Sequence, residues 1–173
     1  MTMALKIEAH LDRVGVDYEM IDHPHSSTSL QTARVAHVPA QEVAKAVMTH
    51  DGNNYRLCVI PSTHRLELAM LNKHMRGTFR LATEEELGAL FEDCEVGAVP
   101  ALGQVYGLPV IWDQRLASMK EVYLEGGDHE SLIHLNQGAF MELMGLQEHC
   151  TISSSNPSDP PITENPLGSE RLH

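Results

Sequence analysis

The apolar and polar positions along the chain follow two different periods, which predicts interleaved helices and strands. Residues 4–14 carry an apolar stripe at helical spacing, and a second helix is expected from a cap at Ser27 or Thr28 to about His37. The runs KAVMTH and YRLCVIP flank the turn sequence DGNN and predict a β-hairpin. Three further runs, PVIWD, KEVYLEGG and SLIHL, predict strands in the second half of the chain.

Capping signals mark two further helices. TEEE, which starts at Thr83, is a capping box and begins a helix to about Phe91, and Asn136 caps a last helix through Met144. Because hairpins and helices are interleaved, we expect an α+β fold in which helices surround a mixed, largely antiparallel and partly barrel-like central sheet. The other predicted elements are a strand at residues 18–21, a short helix over VPAQEVA, a helix at 66–74 and a strand at 78–81.

A change of composition near residue 150 predicts a domain boundary. Hydrophobic residues make up 42% of the 173-residue chain, enough for one folded domain, which is assigned to residues 1–150. Residues 151–173 are rich in Ser and Pro, so a flexible C-terminal tail is predicted. No apolar stretch reaches the ~18 residues of a membrane helix, and the N-terminus is too charged for a signal peptide. We therefore expect a cytoplasmic protein with no membrane partner.

The net charge of −12 argues against a general nucleic-acid binder, because phosphates are held mainly by Lys and Arg. The charge is uneven, however: residues 56–80 hold five cations and one acid, whereas residues 82–96 hold six acids and no Lys or Arg. A basic face that includes Arg76 and Arg80 could contact a polyanion. Two solvated surfaces of opposite sign explain the same pattern.

Cysteine and histidine patterns give little support to thiol or metal chemistry. The three cysteines are far apart and form no CxxC pair. His23 and His25 could point the same way in an extended chain, yet no zinc-binding motif supplies a third ligand. A metal-dependent hydrolase that uses this pair is a weak alternative.

Three other features carry candidate chemistry. Lys45 stands where a predicted helix ends and an apolar strand begins, so its stem could pack while its ammonium reaches a cleft, although an ordinary edge lysine fits as well. Gly127, Asp128 and His129 lie on a turn between predicted strands, a place that often carries function. The segment GAVP could expose backbone N–H groups that polarise a carbonyl, or it could pack against another loop.

Lys45, GAVP and the Gly-Asp-His turn, in this order, resemble the YbaK family of aminoacyl-tRNA deacylases, a family related to the editing domain of bacterial prolyl-tRNA synthetases. The surrounding runs VAKAVM, DCEVGAVPALGQVYGLPVIWD and LIHL are similar too, and the resemblance covers roughly residues 1–147. It implies a compact α+β domain that hydrolyses the ester of a mischarged tRNA without a metal or cofactor.

The resemblance also implies roles for individual residues. Lys45 would hold the terminal adenosine or phosphate region of the tRNA, and His129 would lie on the pocket wall, with Asp128 and Gly127 in the same substrate-binding turn. The residues expected to line the aminoacyl pocket and to present backbone amides to the carbonyl are Gly97, Ala98, Val99 and Pro100.

The expected function is therefore that of a trans-editing hydrolase. Its expected partners are the 3′ aminoacyl end of a mischarged tRNA, contacted in part through Arg76 and Arg80, and an aminoacyl-tRNA synthetase. The alternative is a non-catalytic module of the same fold that binds an amino acid or nucleotide, or that regulates a larger assembly.

Overall fold

The computed structural model describes residues 3–156, and helices and strands interleave along this range as predicted. The helices are α1 (Leu5–Val14), α2 (Ser29–Val35), α3 (Leu68–Met75), α4 (Glu84–Leu90) and α5 (Gln137–Met144). The strands are β1 (Glu19–Asp22), β2 (Val43–His50), β3 (Tyr55–Pro61), β4 (His64–Leu66), β5 (Arg80–Leu81), β6 (Val110–Asp113), β7 (Glu121–Glu125), β8 (Ser131–Asn136), β9 (Glu148–Cys150) and β10 (Ser153–Ser155). Short 3-10 helices cover Ala40–Glu42, Gly103–Tyr106 and Gln114–Ser118.

One mixed sheet organises the fold, with strand order β1-β8-β7-β2-β3-β6-β9 and with β5 paired to the end of β2. Four pairs are antiparallel (β1–β8, β8–β7, β2–β3 and β2–β5), and three are parallel (β7–β2, β3–β6 and β6–β9). The predicted α+β class with a mixed sheet is confirmed. The parallel pairing sets Ala44 beside Leu124, so the start of β2 lies next to the end of β7 and the turn that follows it.

The central strand β3 is buried on both faces because its neighbouring side chains point to opposite sides of the sheet. Leu57 and Val59 pack in the main core beneath α1 and α5 with Trp112, whereas Cys58 and Ile60 pack in a second core against α3. All five side chains have no exposed surface. The site therefore rests on a strand pair, β2 and β3, whose position is held by both cores.

The helix caps form where the sequence predicts them. The side chain of Thr28 accepts a hydrogen bond from the Gln31 N–H at the start of α2, and Asn136 caps α5 in the same way. Thr83 and Glu86 form the reciprocal capping box of α4. Within residues 3–156, no helix is long and apolar enough to cross a membrane.

The hairpin of β2 and β3 is confirmed, but β2 begins earlier than predicted. Asp51 Oδ1 accepts hydrogen bonds from the N–H groups of Asn53 and Asn54, which closes the predicted turn. The expected helix over VPAQEVA shrinks to the three-residue 3-10 helix, because Val43 and Ala44 already pair with β7. Lys45 is therefore the third residue of a strand and not its first residue.

The domain boundary predicted at residue 150 is placed too early. Residues 153–155 form β10, which pairs with β4, and the side chain of Ile152 is fully buried in the second core. The pairing of β4 with β10 also shifts the predicted helix at 66–74. Leu66 belongs to β4, and α3 begins at Leu68. The remainder of the segment that the sequence assigns to a tail, residues 157–173, lies outside the described residues.

Candidate active site

Lys45 projects into a small cavity beside the sheet. Side chains alternate along β2, so Lys45 shares a face with Val43 and Val47 and lies opposite Ile60 on β3. It is half-buried and lines a cavity of about 60 Å³. The backbone at Lys45 is held by the sheet, because the start of β2 pairs with β3 on one side and with β7 on the other. The other lining residues are Ser27, Thr28, Ser29, Thr32, Val43, Ala44, Ala46, Gly97, Val99, Glu125, His129 and Leu132.

The GAVP segment begins with a tight turn. The N–H of Ala98 donates to the carbonyl of Glu95 at 3.0 Å, and Gly97 has a φ of +82° at the third position. A positive φ at this position is typical of a type II turn and favours glycine. The glycine is therefore required by the backbone of the turn, and Val99, the second residue after it, lines the cavity.

This turn corrects one part of the predicted oxyanion site. The amide of Ala98 was expected to face a substrate carbonyl, but it is used within the turn, and Ala98 is buried. Within residues 3–156, no hydrogen bond engages the N–H of Gly97 or Val99, and both residues line the cavity. Pro100 has no N–H and is buried behind them. The N–H groups of Gly97 and Val99 are thus the two backbone donors of the segment that are not used within the described residues.

The Gly-Asp-His turn is held by a carboxylate at the end of β7. Glu125 Oε1 accepts the backbone N–H groups of Gly127, Asp128 and His129 at 2.9, 3.2 and 3.1 Å. Two of the three residues, Gly127 and His129, have positive φ values of 110° and 61°. A left-handed histidine is uncommon, and the three hydrogen bonds to one oxygen stabilise this backbone conformation.

Asp128 and Gly127, which were predicted to bind substrate, support the turn from behind. Asp128 is buried, and its Oδ1 accepts hydrogen bonds from the Glu130 N–H and the Ser131 hydroxyl at 2.9 and 2.8 Å. A side chain added at Gly127 would meet Ala4 at 3.0 Å. Neither residue lines the cavity at Lys45, so of this turn only His129 reaches it.

The ring of His129 joins the two turns. Its Nε2 lies 2.7 Å from the carbonyl oxygen of Val96, and a carbonyl can only accept, so Nε2 carries a proton. The N–H of Glu95 also donates to the carbonyl of Gly127 at 2.8 Å. These two bonds clamp the turn that contains Gly97 onto the turn after β7. His129 thus both lines the cavity and sets the position of the segment that carries the open N–H groups.

A second, larger cavity of about 630 Å³ adjoins the first and shares Ser27, Gly97 and His129 with it. Its remaining lining includes the carboxylates of Glu84 and Glu95 and contains no Lys or Arg. His25 stands 3.6 Å from Glu95 and packs against the ring of His129, with 5.2 Å between ring centroids. The outer cavity is therefore acidic, whereas the inner one holds a lysine.

Sequence reasoning missed the hydroxyl side chains on the rim and the carboxylate beneath the turn. Ser27, Ser29 and Thr32 line the cavity, although the sequence suggested only a helix cap here. The signal was present in the hydroxyl-rich run SSTSLQT. Glu125 carries no such signal, because its role depends on the path of the backbone after β7.

The metal and thiol alternatives find no support among residues 3–156, where no group of three or more His, Cys, Asp or Glu side chains could hold a metal. His23 is buried and donates from Nδ1 to the carbonyl of Pro24, whereas His25 is exposed, so the pair does not converge. Burial raises the pKa of the Cys58 thiol to about 12 and that of Cys94 to about 11. Thiols this weakly acidic are not activated nucleophiles.

Arg76 and Arg80 lie away from the cavity. Arg80 pairs with His50 at the far end of β2, five residues from Lys45, or roughly 16 Å along the strand. Its guanidinium is 3.3 Å from Glu86. Arg76 follows α3 in a left-handed conformation and lines neither cavity described above. A role for these arginines in binding substrate remains a prediction.

The fold and the site define a small α+β domain whose cavity is lined by one lysine and by the backbone of the segment from Gly97 to Val99. The sequence matches the aminoacyl-tRNA editing domain family over residues 23–143, more than half of its length, and the chain belongs to that family. The resemblance inferred from the three motifs is thereby confirmed. Among curated proteins, none matches the sequence significantly.

Solved structures agree on the fold. A hypothetical protein superposes with a TM-score of 0.77 at 23% identity, covering 86% of this chain and 99% of its own. A proposed trans-editing enzyme for prolyl-tRNA synthetase gives 0.76 at 22% identity, covering 88% and 97%. A proposed signal transduction protein from Marinobacter aquaeolei VT8 gives 0.72 at 15% identity, covering 87% of this chain and 31% of its own. At these identities the matches show the fold alone.

Proposed function

We propose that this editing-domain protein hydrolyses the ester bond of mischarged aminoacyl-tRNA, acting in trans on the 3′ end. The observation that supports the proposal is the inner cavity, which is lined by Lys45, Gly97 and Val99, the last two with N–H groups that no hydrogen bond engages within residues 3–156. Membership of the aminoacyl-tRNA editing domain family supports the substrate class. The solved structure described as a trans-editing enzyme for prolyl-tRNA synthetase supports a synthetase as the second partner.

The proposed chemistry relies on backbone donors. The ester carbonyl oxygen would accept from the N–H groups of Gly97 and Val99, which stabilise the oxyanion that forms when water attacks the carbonyl carbon. The bond between that carbon and the ribose oxygen then breaks. The ribose oxygen takes up the proton that the water gives up, and a free amino acid and an uncharged tRNA leave. We assign proton transfer to a hydroxyl of the terminal ribose. We propose that the charge of Lys45 attracts the terminal phosphate or adenosine, which would stay at the edge of the inner cavity because its small volume admits only the aminoacyl group.

The size of the inner cavity favours a small aminoacyl group. A volume of about 60 Å³ holds only a few water molecules. Each additional methylene in such a pocket is worth about 1–3 kcal/mol of discrimination. We therefore propose that tRNAs carrying small amino acids are the substrates, and that bulky aminoacyl groups are rejected by lack of space.

A deacylation screen tests the proposal. The purified chain is incubated with tRNAs misacylated with small and large amino acids, and release of the amino acid is measured. We expect Lys45→Ala to abolish the reaction and to leave the fold intact, because the lysine supplies charge at the cavity. Lys120→Ala, at an exposed lysine outside both cavities, is the matched control and should react like the wild type.

Two outcomes would contradict the proposal. If Lys45→Ala deacylates the panel at the wild-type rate, the role assigned to Lys45 is wrong. If the wild type binds an amino acid or nucleotide but turns over no aminoacyl-tRNA, the chain is a binding module. The presence of the fold within a longer, proposed signal transduction protein is the observation that makes this second candidate worth testing.

A further inference from the structure

A buried chain of hydrogen bonds lies behind Lys45 and reaches the C-terminal strand. His64 Nδ1 is 2.9 Å from the hydroxyl of Ser153, and this hydroxyl donates to Asp113 Oδ2 at 2.7 Å. The exposed fractions of the three residues are 5%, 1% and 0%. They come from β4, β10 and β6, three elements far apart in the sequence. The activity proposed above uses none of these groups.

The direction of these bonds fixes the tautomer of His64. The hydroxyl of Ser153 has one proton, and Asp113 receives it. His64 Nδ1 must therefore donate to the serine oxygen, and in the neutral ring the lone pair is left on Nε2. Asp113 is held as an acceptor, because its two oxygens also receive the N–H groups of Ile152 and Arg115 at 3.0 and 2.9 Å.

The sheet register brings Lys45 to the same side of the molecule. Lys45 is opposite Ile60, which packs with Ile111 and Ile152 in the second core. Asp113 is two residues after Ile111 and so shares its face of β6. The turn between β3 and β4 lies near the start of β2, where the Ser62 N–H donates to the carbonyl of Val43 at 2.7 Å, and His64 follows this turn.

Three charged side chains lie near the imidazole of His64, and Lys45 is one of them. Lys45 faces it from β2, Asp113 from β6 and Arg115 from the 3-10 helix after β6. Burial lowers the pKa of His64, and the nearby charges of Arg115 and Lys45 lower it further, while Asp113 acts in the opposite direction. His64 is therefore neutral at neutral pH, and Lys45 lies close enough for its charge to act on the imidazole.

We infer that His64 is a positioning residue for Lys45, with its Nε2 lone pair accepting from the lysine ammonium. An ammonium group can only donate, and Nε2 is the one acceptor that the Ser153–Asp113 chain leaves on the ring. The inference rests on the proposed function for its effect on catalysis, but not for the contact itself. It also gives β10 a role at the site, because Ser153 sets the His64 tautomer that a lysine partner requires.

Two substitutions separate this role from packing. The amide of asparagine overlays Nδ1 and keeps a donor toward Ser153, whereas the amide of glutamine overlays Nε2 and keeps an acceptor toward Lys45. We expect His64→Asn to lower kcat/KM by roughly 10²-fold, as expected when a catalytic group is misplaced by about 1 Å. The kcat/KM of His64→Gln should be roughly tenfold higher than that of His64→Asn. Both variants should lack the decline in kcat/KM that protonation of His64 causes in the wild type below pH 6.5.

A measurement that needs no activity tests the contact. Nuclear magnetic resonance of ¹⁵N-labelled histidine reports the tautomer and pKa of His64 in the wild type and in Lys45→Met. We expect the Nδ1–H tautomer, and a higher pKa of His64 in Lys45→Met because a neighbouring cation has been removed. An Nε2–H tautomer, or a pKa that does not change in Lys45→Met, would overturn the inference.

The activity data and the resonance data fail in different ways. If the wild type deacylates nothing while the pKa of His64 rises in Lys45→Met, the proposed function fails and the contact is supported. If the wild type is active and both His64 variants match it, only the inference fails. Equal loss in the asparagine and glutamine variants, with an unchanged pH profile, would reduce His64 to a packing residue.

Discussion

The turn at Gly97 makes a sharp prediction about how backbone conformation controls the site. In Gly97→Ala, the added Cβ would lie 3.6 Å from the nearest atom of His129, which is an ordinary contact. The cost therefore comes from the backbone, whose φ of +82° is about 1–2 kcal/mol less favourable for alanine. The alanine also lowers the conformational entropy of the unfolded chain, which raises the free energy of unfolding by about 0.4–1 kcal/mol. We expect a net loss of about 1 kcal/mol in the free energy of unfolding, or about 2–4 °C in Tm.

The effect on deacylation should be much larger than the effect on stability. Relief of the strain moves the backbone from Gly97 to Val99, and loss of one oxyanion donor typically costs ~10²–10³ in rate. Gly15→Ala is the matched control, because Gly15 has a φ of +77° and no atom within 4 Å of the added Cβ. It should lose similar stability, measured by urea unfolding, and keep the wild-type rate.

The pair of variants can refute the reasoning. If Gly97→Ala and Gly15→Ala lose the same stability and both deacylate at the wild-type rate, the N–H groups of this segment do not bind the reacting carbonyl. If Gly97→Ala loses several kcal/mol, the turn is held by contacts that the backbone argument omits.

Three other predictions concern the C-terminal strand, the pH dependence of stability and the tRNA contact. Ile152→Ala should lower the free energy of unfolding by about 2–5 kcal/mol in urea, whereas Leu146→Ala, at a fully exposed side chain, should change it by less than about 0.5. The hydrogen bond from Tyr55 and the bonds at the α4 cap lower the pKa of Glu86 from 4.5 to about 2. The ionised Glu86 carboxylate therefore stabilises the folded protein above pH 4.5, and this contribution is lost as the pH falls toward 2. Glu86→Gln should flatten this part of the curve of unfolding free energy against pH in acid titrations. Arg76→Glu should weaken tRNA binding and make its salt dependence shallower by about one unit of log K per log of salt concentration, and an unchanged slope would place the contact elsewhere.

Local rules predicted the elements whose signals lie within a few residues of one another. The DGNN turn, the capping box at Thr83 and the cap at Asn136 all follow from short-range hydrogen bonding, and each is observed. The strand at Ser153–Ser155 could not be predicted in this way. Three serines have no apolar alternation, and they form a strand because β4 and Asp113 supply partners that are distant in the sequence.

The sequence predicted which residues line the site, but not how they are arranged in space. Lys45, Gly97 and His129 line one cavity because β2 pairs with β7 and because two turns are clamped together, and no local pattern specifies those contacts. The error at Ala98 had a local cause. A turn with glycine in its third position uses the N–H of its fourth residue internally, so Ala98 could have been excluded from the sequence alone.

The arrangement of charge explains how an acidic chain could receive a tRNA end. In the basic segment from 56 to 80, Arg56, Arg65 and Arg80 already pair with carboxylates, so the local excess of positive charge is smaller than the sequence suggests. The inner cavity is lined by one cation, Lys45, and by Glu125, whose Oε1 accepts three backbone N–H groups of the turn, whereas the outer cavity carries Glu84 and Glu95 and no cation. Carboxylates repel phosphate and attract the α-ammonium group of an aminoacyl ester. For the proposed substrate, the phosphates would therefore be directed to the side of Lys45 and the ammonium group toward the outer cavity, which leaves the ester between them at the N–H groups of Gly97 and Val99.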